Sequence, residues 1–231
     1  MFLLVLSKTK LHPSGKDMRL DREILSETFT IGLPALGTTF VSCFGYIAFA
    51  RMVSGMGTTV FAAHSIAITA EQIVYIPGYG LRVATSTLVG NALGEKDTPK
   101  LKATEKVSIL ITLLIMAVNG IGLYLFAYPF MRLFTNSVHA ARIGSEMLRL
   151  VSFSEPFFGL MIVLEGISYG MGRTKHVFAC EAFSMWGIRI LGTFLCVNIF
   201  GLGLKAVWLC MIADNICKAV LLYIFRPKHV E

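Results

Sequence analysis

The chain has 231 residues, of which 55% are hydrophobic and 15% are charged, and its mean hydropathy is +0.69. Soluble domains contain about 25% charged residues, so this composition excludes an ordinary soluble domain and indicates a membrane protein. The formal net charge of +7 does not indicate nucleic-acid binding, because the lysines and arginines cluster between apolar runs and form no surface interleaved with aromatic residues.

The first 27 residues precede the first long apolar run. Met1–Leu6 is too short for a signal peptide and has neither a preceding basic region nor a cleavage site. We interpret this segment as the end of a preceding helix. The rest of 1–27 is interpreted as a cytoplasmic linker because it is rich in basic residues, namely Lys8, Lys10, Lys16, Arg19 and Arg22.

The remaining chain is predicted to be an all-α membrane protein with six transmembrane helices. A helix needs about 20 mostly apolar residues to cross the hydrocarbon core, and no charge lies between Glu27 and Arg51. The basic segments before Glu27 and after Gly94 are both predicted to be cytoplasmic, so an even number of crossings lies between them. Residues 58–94 therefore cross once, as a long helix kinked at Pro77. The predicted helices are 28–52, 58–93, 107–132, 143–171, 176–200 and 205–225, both termini are cytoplasmic, and 226–231 is a cytoplasmic tail.

Metal binding, disulfides and enzymatic chemistry are not expected. The five cysteines lie in apolar runs without CxxC or Cys/His spacing, so we interpret them as small buried hydrophobic residues. The chain contains no nucleophile elbow, phosphate-binding loop or HExxH sequence. No cofactor is predicted.

Ionisable side chains inside the predicted spans are candidate functional residues, because each costs roughly 2.5–3.5 kcal/mol to insert. Glu155 directly precedes Pro156, and a proline frees a backbone carbonyl in the preceding turn. A carboxylate beside free carbonyls is suited to a cation or a proton. Glu71 precedes Pro77 by six residues, and Glu165 is a weaker candidate. The predicted hinges are Pro34, Pro77, Gly78, Gly80 and Pro156.

Other charges in the spans have structural interpretations. Asp214 and Lys218 are four residues apart and are predicted to pair on one helix face, although Asp214 stays a candidate site residue. Glu181 and Arg189 are about two turns apart, so pairing and function remain equally open for them. Arg82 either snorkels toward the headgroups or neutralises a carboxylate on a neighbouring helix.

Two further features are interpreted as packing or surface features. His64 is predicted to be a packed histidine, with a proton relay as the alternative. Glu146 and Arg149 are expected to pair or snorkel at the surface. The small residues of "GNALG" and "GISYGMG" are expected to allow close contact between helices.

One long stretch resembles a family signature. The sequence "GMGTTVFAAHSIAITAEQIVYIPGYGLRVATSTLVGNALGEKD" resembles the MATE (multidrug and toxic compound extrusion) transporters, in which an AAH-x-I segment is followed by P-G-x-G and then by L-V-G-x-x-L-G. "IGLPAL" resembles the start of that family's seventh helix, and "EPFFGLMIVLEGISYGMGRTK" resembles its tenth helix. The similarity covers nearly the whole chain.

The resemblance implies that this chain is the carboxy-terminal six-helix lobe of a two-lobed transporter. Its partners would be the lipid bilayer, a missing or separate amino-terminal six-helix lobe, and a small amphipathic or cationic substrate. MATE transporters exchange drugs or organic cations for H⁺ or Na⁺ by alternating access. The resemblance implies location in the plasma (inner) membrane, and Glu71 occupies a position where an acid is common.

The chain departs from the family pattern at several positions. The family's most familiar acid on the tenth helix falls near Phe158 in this sequence, and the seventh helix has Ser42 near the position of an expected acid. Tyr169 replaces an arginine of the loop signature, and Arg173 replaces an aspartate. Arg82 replaces a residue that is usually small or apolar.

Three functions remain open on the sequence. The first is half of a drug or organic-cation antiporter coupled through Glu71 and Glu155. The second is a lipid-linked oligosaccharide flippase of the wider superfamily, whose cavity would be rich in basic residues. Arg82, Arg149 and Arg189 would favour it if they face the lobe interior, and would favour the antiporter if they pair with acids or snorkel. The third is a truncated lobe that is inactive without its amino-terminal half.

Overall fold

The computed structural model describes residues 22–225, and all regular structure in this range is helical. This confirms the predicted all-α class. The helices are α1 (Arg22–Ser54), α2 (Thr58–Gly94), α3 (Thr98–Phe134), α4 (Val138–Ser152), α5 (Glu155–Gly170), α6 (Thr174–Ile199) and α7 (Leu204–Ile224).

Two predicted segments lie outside the described residues. They are the helix end and linker up to residue 21, and the tail 226–231. Residues 22–27 belong to α1 and not to a linker, because the helix already begins at Arg22. The apolar pattern alone placed the start of this helix too late, since its first turns are polar.

The helices account for the predicted six membrane spans. Five of them are individually long and apolar enough to cross a membrane, namely α1, α2, α3, α6 and α7. The sixth span is the pair α4 and α5, which pass the same test together but are bent by 60° at a short break. The predicted single helix 143–171 is therefore wrong, because the chain forms two helices there.

The break between α4 and α5 follows from the local sequence. The amide of Ser154 bonds to the carbonyl of Val151 at 2.7 Å, which closes a tight turn after α4. Pro156 lies in the first turn of α5, where its missing N–H is not needed. Glu155 is consequently the first residue of the second half-helix.

Helix α2 crosses once as one long helix, as predicted, and Pro77 lies within it. The helix continues from Thr58 to Gly94 through Pro77 and Gly78. The side-chain amide of Asn119 in α3 donates through Nδ2 to the backbone carbonyl of Val74 at 3.1 Å. A neighbouring helix therefore supports the backbone of the turn that the proline weakens.

The interior consists of two apolar clusters stacked along the bundle. One contains the buried Trp208 and Leu148 and draws on α1, α2, α3, α4 and α7. The other contains Met116 and Ile162 and draws on α2, α3, α5, α6 and α7. Along α2, the α4–α5 pair and α7, the buried acids Glu71, Glu155 and Asp214 lie between members of the two clusters, whereas Glu165 lies among members of the second cluster.

The outer surface is apolar while many charged side chains are buried, as expected in lipid. The five cysteines are free, but the prediction that all are buried is wrong. Cys180 is buried and Cys43 is exposed. An apolar run does not specify burial in a chain whose exterior also faces hydrocarbon.

Two glycines of "GISYG" bring α5 against α2, as the small-residue pattern predicts. A Cβ at Gly166 would lie 2.7 Å from the carbonyl oxygen of Arg82, and a Cβ at Gly170 would lie 2.6 Å from that of Ser86. Only glycine permits backbones to approach this closely. The pair therefore sets the α2–α5 distance.

We expect Gly166→Ala to destabilise the protein by about 1–3 kcal/mol, because the added methyl group meets backbone that cannot yield without moving a helix. The unfolding temperature of the purified protein in detergent measures the effect. Gly122→Ala is the matched control, since a Cβ there meets no atom within 4 Å. Equal unfolding temperatures for the two variants would contradict the close contact.

Candidate functional site

A cavity of about 720 Å³ is lined by α1, α2, α5, α6 and α7. Its wall combines charged and aromatic side chains. The charged residues are Glu71, Arg82, Glu165, Glu181, Arg189 and Lys218. The aromatic ones are Tyr46, Phe49, Phe61, Tyr75, Tyr79, Phe158 and Tyr169. The cavity therefore collects most of the charges that the sequence places inside the spans.

Lys218 of α7 bridges two acids. Its Nζ lies 2.5 Å from Oε2 of Glu181 and 3.9 Å from Oδ2 of Asp214. The Ser42 hydroxyl donates to the other oxygen of Glu181 at 2.5 Å. The predicted Asp214–Lys218 pair thus exists, but the closer partner of Lys218 is on a different helix. Ser42, near the position of the acid expected from the family, is a hydrogen-bond donor to an acid.

Arg189 and Asp214 form the second buried pair. The Nε–Oδ2 distance is 2.8 Å, and the Asn215 side chain accepts from Nη2 of Arg189 at 3.4 Å. The Ser184 hydroxyl donates to the backbone carbonyl of Asp214 at 2.9 Å and also to its carboxylate. Arg189 lies in a π-helical segment, Met185–Ile190, that interrupts α6. Such wide turns are frequent at functional sites.

Arg82 pairs with Glu165 across the contact between α2 and α5. Its Nη1 lies 3.1 Å from Oε2 of Glu165, and its guanidinium carbon lies 5.2 Å from the centre of the Tyr79 ring. Of the two sequence interpretations, neutralisation of a neighbouring carboxylate is confirmed. This pair includes the predicted site residue Glu165.

Glu71 is held by a neutral donor. The Tyr75 hydroxyl, one turn further along α2, donates to Oε1 of Glu71. The Tyr75 ring stacks on Phe158 of α5 with the ring centres 3.7 Å apart and an angle of 13° between the planes. Glu71 is thereby linked through Tyr75 to the first turns of α5.

Glu155 lies fully buried at the broken span, and neither of its carboxylate oxygens has a hydrogen-bond partner among residues 22–225. Gly120 of α3 faces it: a Cβ there would lie 2.6 Å from the carbonyl of Ser152 and 3.1 Å from Cβ of Glu155. Glu155 thus lies next to the break before Pro156, and Glu71 is linked to the same half-helix, α5, through the stack of Tyr75 on Phe158.

Three remaining predictions concern structural residues. His64 is packed, as predicted, and its Nδ1 accepts from the Trp208 ring at 3.2 Å. Glu146 forms a surface pair at 3.1 Å, but with Lys205 and not with Arg149. Arg149 lies over the ring of Tyr124 at 6.0 Å. The partner of Glu146 comes from the start of α7, which sequence spacing cannot reveal.

A MatE family model matches residues 34–195, more than half of the chain. The chain belongs to the MatE family. The resemblance carried by the α2 signature and by the α5 motif is thereby confirmed.

Relatives of this MatE chain are about twice its length. It is 30% identical over 204 residues to a probable multidrug resistance protein NorM of Photorhabdus laumondii, covering 87% of this chain and 45% of that protein. It is 28% identical over 199 residues to a probable NorM of Thermotoga maritima, covering 86% and 43%. The chain spans about half the length of the curated relatives it matches.

Solved structures show the same fold. A MOP superfamily transporter from Pyrococcus furiosus superposes with a TM-score of 0.87 at 21% identity, covering 97% of this chain and 50% of that one. The MatE chain therefore has the fold of one half of such a transporter, and it is an integral membrane protein.

Several site residues escaped the sequence analysis. Tyr75 carries a signal that could have found it, because a residue four positions after Glu71 lies on the same helix face. Ser184 and Asn215 carry no such signal, since their partners come from other helices or from a π-helical turn. The aromatic stack on Phe158 depends on the contact between α2 and α5 and is likewise invisible in the sequence.

Breaking the Arg189–Asp214 pair should be costly. We expect Asp214→Asn to destabilise the protein by about 3–5 kcal/mol, because it leaves a buried guanidinium without its carboxylate. The double variant Arg189→Gln with Asp214→Asn should lose less, since no buried charge stays unpaired. Unfolding in mixed detergent measures both, and Glu146→Gln, at an exposed pair, is the control with an effect within about 1 kcal/mol. A double variant as unstable as the single one would contradict this pairing.

Replacing Glu155 should stabilise the protein, whereas replacing Asp214 should destabilise it. Glu155→Met removes a buried carboxyl group that has no hydrogen-bond partner in the described part of the chain, so we expect stability to rise by about 1–3 kcal/mol. The same substitution at Glu165 should lower stability, because Arg82 loses its carboxylate. Unfolding temperatures of the two variants test the contrast. A loss of stability in Glu155→Met would show that Glu155 has a structural role.

Proposed function

We propose that this chain is one lobe of a secondary active transporter that exports drugs or organic cations in exchange for H⁺ or Na⁺ by alternating access. Support comes from its membership of the MatE family and from relatives that carry the name multidrug resistance protein. The coupling residues of the proposal are Glu71 and Glu155.

The observation that carries the proposal is that some buried acids near the cavity are paired with a cation and others are not. Glu165, Glu181 and Asp214 each lie within 3.1 Å of a cationic nitrogen. Glu71 and Glu155 have no ion pair among the described residues, although both are buried. An acid in hydrocarbon without a cation must take up a proton or a metal cation to become neutral. These two acids are therefore available to the coupling ion.

The position of these two acids suggests how binding of the ion changes the shape of the lobe. Glu155 is the first residue after the 60° bend, and Glu71 is connected to α5 through the stack of Tyr75 on Phe158. Neutralising both acids removes their mutual repulsion across α2 and α5. The bend before Pro156 then changes with the ion, and with it the cavity wall on α5. Glu181 and Asp214 take structural roles in this proposal.

The alternative of a lipid-linked oligosaccharide flippase receives less support. Such a cavity would be expected to present unpaired basic groups to phosphate. Arg82 and Arg189 are each paired with an acid, and Arg149 lies over Tyr124 away from the cavity. The paired state of the cavity-lining arginines favours the antiporter.

The proposed partner is a second six-helix lobe. The cavity is lined on the side of this chain by five helices, and the matched relatives have about as many residues again. A lobe alone has no opposite wall to close the cavity, so the chain by itself is expected to be inactive in transport.

We place the protein in the cytoplasmic membrane with both ends of the described chain on the cytoplasmic side, as the lysine-rich loop after Gly94 favours.

The double variant Glu71→Gln with Glu155→Gln should abolish efflux driven by a pH or Na⁺ gradient, because neither site can change its charge. The assay uses vesicles that contain this chain together with an amino-terminal MATE lobe. Each single variant should reduce the gradient dependence.

The matched control is Glu146→Gln, which replaces an exposed glutamate far from the cavity and should leave efflux unchanged. Unchanged efflux in the double variant would overturn the assignment. Gradient-driven efflux by the chain without any partner would overturn the claim that a second lobe is required.

A further inference from the structure

Two free cysteines meet between α6 and α7. The Sγ atoms of Cys196 and Cys210 lie 3.9 Å apart, although the two residues are separated by 14 positions in the chain. No CxxC spacing marks this pair, so only the packing of the two helices reveals it. Both cysteines are half-buried, and neither lines the charged cavity. The proposed transport function therefore assigns no role to these thiols.

The backbone around the two cysteines brings their sulfur atoms together. Cys196 lies in a second π-helical segment, Leu195–Ile199, and its carbonyl accepts from the amide of Leu202 at 2.8 Å. Gly192 lies one turn before Cys196, and a Cβ there would lie 3.3 Å from Sγ of Cys210. The sulfur of Cys210 thus lies directly against α6, in a space that a larger residue at position 192 would crowd.

The pair lies near the turn that joins α6 to α7. Cys196 is three residues before the end of α6 at Ile199, and Cys210 is six residues after the start of α7 at Leu204. At 1.5 Å per residue, both lie within about 10 Å of that turn. A small polar oxidant therefore reaches the pair from the end of the bundle. Partial exposure is also what distinguishes a reactive thiol from an inert, fully buried one.

The contact of the two thiols is the second link between α6 and α7 in this region. The first is the buried ion pair of Arg189 and Asp214. Arg189 precedes Cys196 by seven residues, and Asp214 follows Cys210 by four, so the thiols lie between the ion pair and the turn. A covalent bond between the sulfurs would hold the two helices together next to the ion pair.

We propose that Cys196 and Cys210 are a dithiol that hydrogen peroxide oxidises to a disulfide, which joins the end of α6 to α7. One sulfur, as the thiolate, attacks a peroxide oxygen and the O–O bond breaks. This gives a sulfenic acid and a hydroxide, which takes up the proton of that thiol as water. The second sulfur then attacks the sulfenic sulfur, the S–O bond breaks, and hydroxide leaves with the second thiol proton as water. The two sulfurs lose two electrons and the peroxide gains them.

Peroxide treatment of the full chain in lipid nanodiscs, with one chain in each disc, tests the pair. Trypsin cleavage after Lys205 places Cys196 and Cys210 in different peptides, 190–205 and 206–218. We expect mass spectrometry to find these peptides joined after peroxide treatment and separate after reduction with dithiothreitol. Peptides that stay separate after peroxide treatment, with free or singly oxidised cysteines, would overturn the proposal.

A second cysteine in the same peptide provides the matched control. Cys217 is also half-buried and lies on the same helix as Cys210. Cys210→Ala should abolish the link, and so should Cys196→Ala, whereas Cys217→Ala should leave it unchanged. A link that survives Cys210→Ala, or that Cys217→Ala removes, would overturn the assignment of the two sulfurs.

The unfolding temperature shows whether the bond holds the two helices together. Peroxide should raise the unfolding temperature of the wild type by about 5 °C, because a cross-link restricts the unfolded chain. The unfolding temperature of Cys210→Ala should stay the same, and dithiothreitol should reverse the rise in the wild type. An unchanged temperature in the linked wild type would contradict the proposed restraint. No readout here involves transport, so the transport function stands or fails separately.

Discussion

Hydrocarbon does not solvate charge, and this constraint organises the interior of the protein. The described chain buries Arg189 and Lys218 inside its helical bundle, and each lies against a carboxylate from another helix. A buried charge left alone costs several kcal/mol, so the helices must be arranged to bring the opposite charges together. The ion pairs therefore specify how α6 and α7 face each other more than they add to net stability.

The same constraint makes the unpaired acids informative. Glu155 is buried at the 60° bend between α4 and α5 and has no hydrogen-bond partner among the described residues, and Glu71 accepts a hydrogen bond from the Tyr75 hydroxyl. Glu165, Glu181 and Asp214 are paired with cations, whereas Glu71 and Glu155 have no ion pair among the described residues, as the proposed coupling role requires.

Close packing of the helices fixes the positions of the charged residues. Gly166 and Gly170 remove the side chains that would separate α5 from α2, and Gly120 does the same between α3 and the broken span. Without these contacts Arg82 would not reach Glu165, and Tyr75 would not stack on Phe158. The glycine contacts thus set the distances between helices at which the buried charges can pair.

The sequence by itself determined the membrane class, the six spans, the signature of the family and the list of ionisable residues inside the spans. Those features depend on composition, on the length of apolar runs and on local motifs, which need no knowledge of distant contacts. Only the tertiary structure decided which buried charges pair with each other and where a predicted helix is broken. Lys218 was expected to pair within its own helix but lies closest to Glu181, and the break before Pro156 divides one predicted helix into two. The direction in which a buried side chain points, and the helix it meets, depend on packing, π-helical turns and glycine contacts that join residues far apart in the chain.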